Sequence, residues 1–456
     1  MNMTSSQRAR AGALPYPAWL LCLALLCLAA ATPASAAAGS GLSLQQASQR
    51  ALAQNPALQV FDWRQQALEG QRESAGLRPQ TTLALEAENL AGSGEFSGVD
   101  AAEVTLSLSS VIELGGQLAS RLAVADSRLA LNQAQRQADA LDLLGEVARR
   151  FVTVQAQQAR LDIARSALAL AERSLKLVRQ RVDQGAAPLA EALRAEAAVA
   201  QARLRQNALR AELAADRNAL AALWGAEQPD FDTLQGALFT FPDVGPLEPA
   251  FERLRQSPLA RVYSSEKRQL QAEVDLARAN ARQDIGWSAG LRRLEQSSDT
   301  ALTLGLSLPL FQERRSRGEV RAAMAERSAA DYREQSALLA MHTQLNAAWQ
   351  RYQQGSAAAS TLRTAVIPLL QQASEETRAA YEQGRSRYLD WAESQRELID
   401  TRYAAVDAAS EALLNLATLE QLTGQSIGAT SDSASASSDA SNKANSNAST
   451  TTAPRD

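Results

Sequence analysis

The chain states one pattern twice, about 200 residues apart, and that repeat narrows the folds open to it. Leu52-Ala-Gln-Asn-Pro56 returns as Leu254-Arg-Gln-Ser-Pro258, offset by 202. The alternating run Val104-Thr-Leu-Ser-Leu-Ser109 returns as Leu302-Thr-Leu-Gly-Leu-Ser307, offset by 198. Val182-Asp-Gln-Gly185 returns as Tyr381-Glu-Gln-Gly384, offset by 199. Three unrelated patterns recur in one order at nearly one spacing. The period lies far outside the roughly 20–50 residues of solenoid arrays. It implies two large structural halves, 42–225 and 250–424, joined by a turn-rich segment, 226–249.

Each half reads as helices, two strands and a very long helical hairpin. In the first, Ser43 caps a short helix and Pro56 opens a second that Gly76 and Pro79 stop. Residues 82–89 and 103–109 alternate apolar and polar side chains, which is a strand pair with one face of each kind. From Gln117 to Gln184 there is no proline and a single glycine, Gly145. As a helix this run is ~100 Å long. Gly185 ends it and Pro188 opens a returning helix about half that length, so the helix after Pro56 must stack beyond the returning one to cover the remaining apolar stripe. The second half repeats the plan, with strands at 285–293 and 300–308 and an unbroken helix expected from Gly318 to Gln383. Its tip lies at Gly384.

The ends of the sequence read differently. Arg8 and Arg10, the short apolar run Trp19–Ala31 and Ala34-Ser-Ala36 have the layout of a secretory signal peptide over 1–36. Both cysteines, Cys22 and Cys27, lie inside it, so cleavage leaves neither disulfides nor thiolate metal sites. Cleavage also removes Arg8 and Arg10, leaving 44 of the 46 basic residues against 50 acidic ones, a balance that argues against nucleic acid as a partner. Residues 430–456 are Ser, Ala, Asn, Asp and Thr with almost no apolar side chains, and read as a disordered tail.

Four amphipathic strands cannot close a barrel alone, and their free edges invite association. In an exported chain, strands apolar outside and polar inside fit an outer-membrane barrel built from several copies. Glu86, Glu88 and Arg292 then fall on the lumenal wall.

Gln54-Asn-Pro56, Ile112-Glu-Leu-Gly-Gly116, Gly290-Leu-Arg-Arg293 and Leu306-Ser-Leu-Pro-Leu-Phe311 resemble the TolC-type outer membrane efflux proteins, most of all the cobalt–zinc–cadmium (CzcC-like) heavy-metal branch. The resemblance covers Leu42 to Gly424. It implies a mainly α fold with a β-barrel contribution, a homotrimer with a twelve-stranded barrel in outer-membrane lipid, and an α-barrel in the periplasm. It also implies two partners, a periplasmic adaptor and an inner-membrane pump of the resistance–nodulation–division type. No cofactor and no enzymatic activity are implied.

The resemblance further implies a periplasmic gate and an adaptor-docking end at the tips around Gly185 and Gly384. Acidic side chains six and nine residues after the second glycine, Asp390 and Glu393, correspond to the family's constriction. Tyr381 and Glu191 match a tyrosine–acid link of the closed state. The arginine expected beside them is replaced by Ser386, flanked by Arg385 and Arg387. The first half carries Val182, Glu191 and Arg194 where the second carries Tyr381, Asp390 and Glu393. Cargo ligands are not expected: His342 is the single histidine, and methionine is sparse. Two other readings stand beside a metal duct. One is a duct for drugs or type I protein secretion; the other is a soluble periplasmic coiled-coil structural protein, which leaves the signal peptide and strand pairs unexplained.

Overall fold

The computed structural model describes residues 41–424; the signal peptide and the polar tail expected from the sequence lie outside the described residues. The first half comprises α1 (Leu44–Gln54), α2 (Pro56–Ala75), β1 (Thr82–Glu88), β2 (Glu103–Ile112), α3 (Gln117–Asp183) and α4 (Leu189–Ala221). The second comprises α5 (Leu247–Gln256), α6 (Pro258–Asn280), β3 (Ile285–Leu294), β4 (Asp299–Ser307), α7 (Gln312–Thr361), α8 (Ile367–Glu382) and α9 (Tyr388–Thr423).

At 67 residues, α3 runs about 100 Å, and no single neighbour covers it. It packs on α4 and α9 along one stretch and on α2 and α6 along another. The covering helices meet end to end. Asn55 caps α2 by accepting from the Ala57 N–H at 2.9 Å, and its Nδ2 donates to the Leu223 carbonyl at 2.8 Å, just beyond α4. One side chain thus caps α2 and satisfies a carbonyl of the turn that ends α4. The same join recurs in the second half, where Gly424 after α9 closes against Ser257 and Pro258 at the start of α6.

The short helices α1 and α5 clamp the bundle where these joins occur. Ala47 and Ala51 of α1 close a core of Val147, Phe151 and Val154 from α3 with Leu220 and Trp224. Leu254 of α5 closes the equivalent core with Leu345, Tyr352, Leu419 and Leu422. The two cores are the apolar stripes of the two hairpins, buried twice in the same way.

The unbroken helix expected from Gly318 to Gln383 is corrected in two places. The helix begins earlier, at Gln312, and it is interrupted by a π turn over Leu362–Val366 before α8. Pro368, the second residue of α8, has no N–H to offer the Thr364 carbonyl. The wider π turn absorbs that lost bond without ending the rod.

The strands form one antiparallel sheet in the order β1-β2-β3-β4, so β2–β3 pairing joins the two halves. Leu85, Leu106, Leu291 and Leu302 stand in one row across it, and Glu86, Thr105, Arg292 and Ala301 in the adjacent row on the opposite face. The leucine face is open: Leu304 and Leu306 are 77% and 84% exposed. On the polar face Thr105 is only 6% exposed. Gly290 fits there because a Cβ would lie 2.8 Å from the Leu106 carbonyl oxygen. The polar side is therefore the more crowded one, and among the described residues both outer strands keep a free edge.

Candidate functional site

The two tips are built alike. Each long helix ends in a left-handed glycine, Gly185 at φ +70° and Gly384 at φ +73°. In the first, Gly185 N–H bonds the Val182 carbonyl at 2.9 Å and Ala186 N–H bonds that of Arg181 at 2.7 Å. Gly384 and Arg385 make the same pair of bonds to Tyr381 and Ala380, at 2.9 and 2.8 Å. These are Schellman closures, whose left-handed turn residue is least strained without a Cβ. Beyond them Pro188 and Arg387 start the returning helices.

The side chains at the tips differ between halves, and here the structure ties one half to the other. Tyr381 is 2% exposed, stacked on Trp391 with centroids 5.3 Å apart and edge-on to Tyr388 at 6.1 Å. Its hydroxyl donates to Glu191 Oε2 at 2.8 Å. Burial, followed by the hydrogen bond to the Glu191 carboxylate, pushes the Tyr381 hydroxyl well above the usual tyrosine range. It therefore stays a neutral donor at any physiological pH. Burial and the Glu191 charge also raise Tyr388.

A residue not foreseen from the sequence completes this link. Arg181 Nη1 donates to the carbonyls of Tyr381 at 2.7 Å and Glu382 at 2.8 Å. Its guanidinium lies 4.8 Å from the centroid of the Tyr381 ring. A cation of the first half thus caps the C-terminal carbonyls of α8 in the second, where the helix dipole favours positive charge. The only local signal was a basic residue in the last turn of α3; its target lies 200 residues away.

The other expected gate residues do not join this cluster. Asp390 turns back on its own helix start: it accepts from the Arg387 backbone N–H at 3.2 Å and from Arg387 Nη2 at 3.0 Å. The Arg387 side-chain hydrogen bond, then its backbone N–H, hold the Asp390 carboxyl below the usual range. In this chain the Asp390 charge is thus met by Arg387. Arg385 donates to the Gln383 side chain at 2.8 Å. Glu393 is exposed and has no ion pair among the described residues.

On the sheet, Arg292 sits between two acids, 2.9 Å from Glu103 and 3.3 Å from Glu88, and also donates to Thr105 Oγ1 at 3.0 Å. Glu88 and Glu103 stand opposite each other in the β1–β2 register. Arg292 offsets the repulsion of that like-charged pair. Glu86 faces Thr105 across β1–β2 and has no ion pair among the described residues. His342 is stacked on Phe251 with centroids 3.7 Å apart. Among the described residues, no group of three or more His, Cys, Asp or Glu is placed to hold a metal ion.

A family model described as "Outer membrane efflux protein" matches residues 47–226 and 253–425, one segment on each structural half. The cobalt-zinc-cadmium resistance protein CzcC of Cupriavidus metallidurans is 26% identical over 314 residues, which covers 69% of this chain and 75% of that protein. The nickel and cobalt resistance protein CnrC of the same organism is 29% identical over 289 residues, 62% of this chain and 67% of that protein. Among solved structures, CusC superposes with a TM-score of 0.72 at 18% identity, over 83% of this chain and 91% of CusC.

Proposed function

The chain belongs to the outer membrane efflux protein family, and from that premise we propose that it is the exit duct of a tripartite system that expels heavy-metal cations. It resides in the outer membrane of a Gram-negative bacterium. The observation that carries the duct reading is the sheet: four strands with two free edges, leucines open on one face, polar and small side chains on the other. Such a sheet is unstable alone and complete when β4 of one copy pairs with β1 of the next. Three copies make a twelve-stranded barrel within the range of outer-membrane proteins, with lipid outside and water within. Each half, 42–225 and 250–424, then supplies two strands and one hairpin of the tube.

The tips are the gate and the docking end for a periplasmic adaptor, which connects the duct to a proton-driven inner-membrane pump. The link of Tyr381, Glu191 and Arg181 ties the two hairpins of one copy. Asp390, Glu393, Arg385 and Arg387 lie around the opening, and threefold repetition makes each position a ring. Heavy-metal cations are the cargo favoured by the resistance proteins the chain matches over most of its length. The duct needs no ligand set for them, because a hydrated pore passes ions without binding them tightly. The reaction is transport, not catalysis.

Sensitivity of a deletion strain tests the cargo. Hypersensitivity to cobalt, zinc, cadmium or nickel, reversed by the intact gene, is the expected result. Hypersensitivity confined to antibiotics would move the chain to the drug-duct alternative.

A further inference from the structure

The two halves treat the junction between strand and helix differently. Under β1 and β2, arginines are met by acids. Arg121 pairs with Glu113 and donates to the Leu77 carbonyl at 3.2 Å. Arg72 pairs with Asp126 at 2.5 Å and Arg128 with Glu273 at 3.3 Å. Under β3 and β4 four arginines gather with little acid paired to them. Arg278, Arg282, Arg317 and Arg321 converge on an open groove of about 1170 Å³ between the end of α6 and the start of α7. Among the described residues only Arg278 has a carboxylate partner, Asp275 at 3.5 Å. Glu313 is the one carboxylate in the lining. At the offset of 198 that relates the strands, Phe311 stands where Glu113 stands in the first half.

The upper lip of this groove is apolar and continues the lipid-facing surface. In sequence the alternation of Leu302, Leu304 and Leu306 continues to Leu308 and Leu310, just past the end of β4 at Ser307. Leu310 and Phe311 both line the groove and are 67% and 75% exposed. Phe311 also holds φ at +64°, a left-handed backbone that an aromatic residue rarely adopts. The groove lies at the strand ends nearer the hairpin tips, which is the inner surface of the outer membrane. There an apolar wall meets a cluster of unneutralised guanidinium groups, the chemistry that recognises a phosphate held at a lipid–water boundary.

We propose that this groove binds the headgroup phosphate of an anionic phospholipid from the inner leaflet. Arg282, Arg317 and Arg321 grip the phosphate while the acyl chains lie along Leu310, Phe311 and the leucine face above. The proposal rests on the outer-membrane placement of the sheet and is independent of the cargo. Bound lipid would anchor the base of the second strand pair, the one whose edge strand must find a neighbouring copy.

The test uses the full-length protein purified in detergent. Thermal unfolding is followed as phosphatidylglycerol, phosphatidylethanolamine or inorganic phosphate is added. Wild type is expected to show a saturable upward shift with phosphatidylglycerol and little with the other two. The R317Q/R321Q double variant should bind phosphatidylglycerol at least tenfold more weakly, while keeping its assembly state and lipid-free melting temperature. The distant R210Q control should behave as wild type. Equal affinity in the double variant, or an equal shift with inorganic phosphate or phosphatidylethanolamine, would overturn the proposal. Loss of assembly of the double variant in lipid-free detergent would overturn it too, assigning the groove to contact between copies. A chain absent from the outer membrane would fail earlier, at extraction, so that failure is separable.

Discussion

Replacing Arg181 with glutamine removes the tie between the hairpins of one copy while leaving both Schellman turns intact. Arg181 makes two charge-assisted hydrogen bonds, at 2.7 and 2.8 Å, and a cation–π contact at 4.8 Å. Hydrogen bonds to a charged group contribute ~1.5–3 kcal/mol each. The total is smaller than their sum, because the Tyr381 carbonyl also accepts from Gly384 and Glu382 is an exposed residue. About 1–3 kcal/mol is therefore lost per copy, which shifts a closed-to-open equilibrium by roughly 5- to 150-fold. Single-channel recording in planar bilayers reads this as the fraction of time open. Arg181→Gln should raise it by no less than the lower end of that range, since every copy in the particle loses the tie, and Tyr381→Phe, which removes the bond to Glu191, should raise it too. Asp390→Asn should change it far less, since Asp390 is exposed, screened and bonded within one turn of its own helix. An open fraction unchanged in Arg181→Gln, or raised more by Asp390→Asn, would refute the assignment of the tie to Arg181.

Three further outcomes follow from particular residues. Glu420, 7% exposed, is pushed up to about 7 by burial. A carboxyl whose folded value is raised binds more protons folded than unfolded, so stability falls as pH rises from about 4.5 to 7 and then levels. Glu420→Gln should melt like wild type near pH 4 and higher than wild type at pH 8, and identical pH slopes would contradict this. Leu304→Arg places a charge on the lipid face at a cost of ~2–4 kcal/mol near the bilayer centre, and should reduce the amount recovered in the outer membrane. Gly384→Ala forces a Cβ into a left-handed turn at ~1–2 kcal/mol, lowering the melting temperature more than alanine at exposed, right-handed Gly70.

How far the sequence foretells this molecule depends on how local each signal is. The strands are legible because alternation at period two is written into consecutive residues, and the tips because glycine and proline punctuate long helices. The stacking of α2 beyond α4 follows from length alone. Pro368 shows where a local rule fails: a proline that should stop a helix is absorbed by one widened turn. The Arg181 tie is invisible in the sequence because its acceptors are backbone carbonyls of a distant helix, which any residue type supplies. Arg292 looked like one lumenal charge among several, and only the β2–β3 register brings it between Glu88 and Glu103. The arginine groove needed the folded junction, since what marks it is guanidinium groups brought together without the acid partners that Arg72, Arg121 and Arg128 have.

In the proposed duct one chain is an incomplete wall and three close it. The mass of the intact particle extracted from outer membranes in mild detergent measures this directly. Three copies per particle, resistant to dissociation on warming, is the predicted result. A stable single chain, or recovery of the protein from the soluble periplasm, would contradict it.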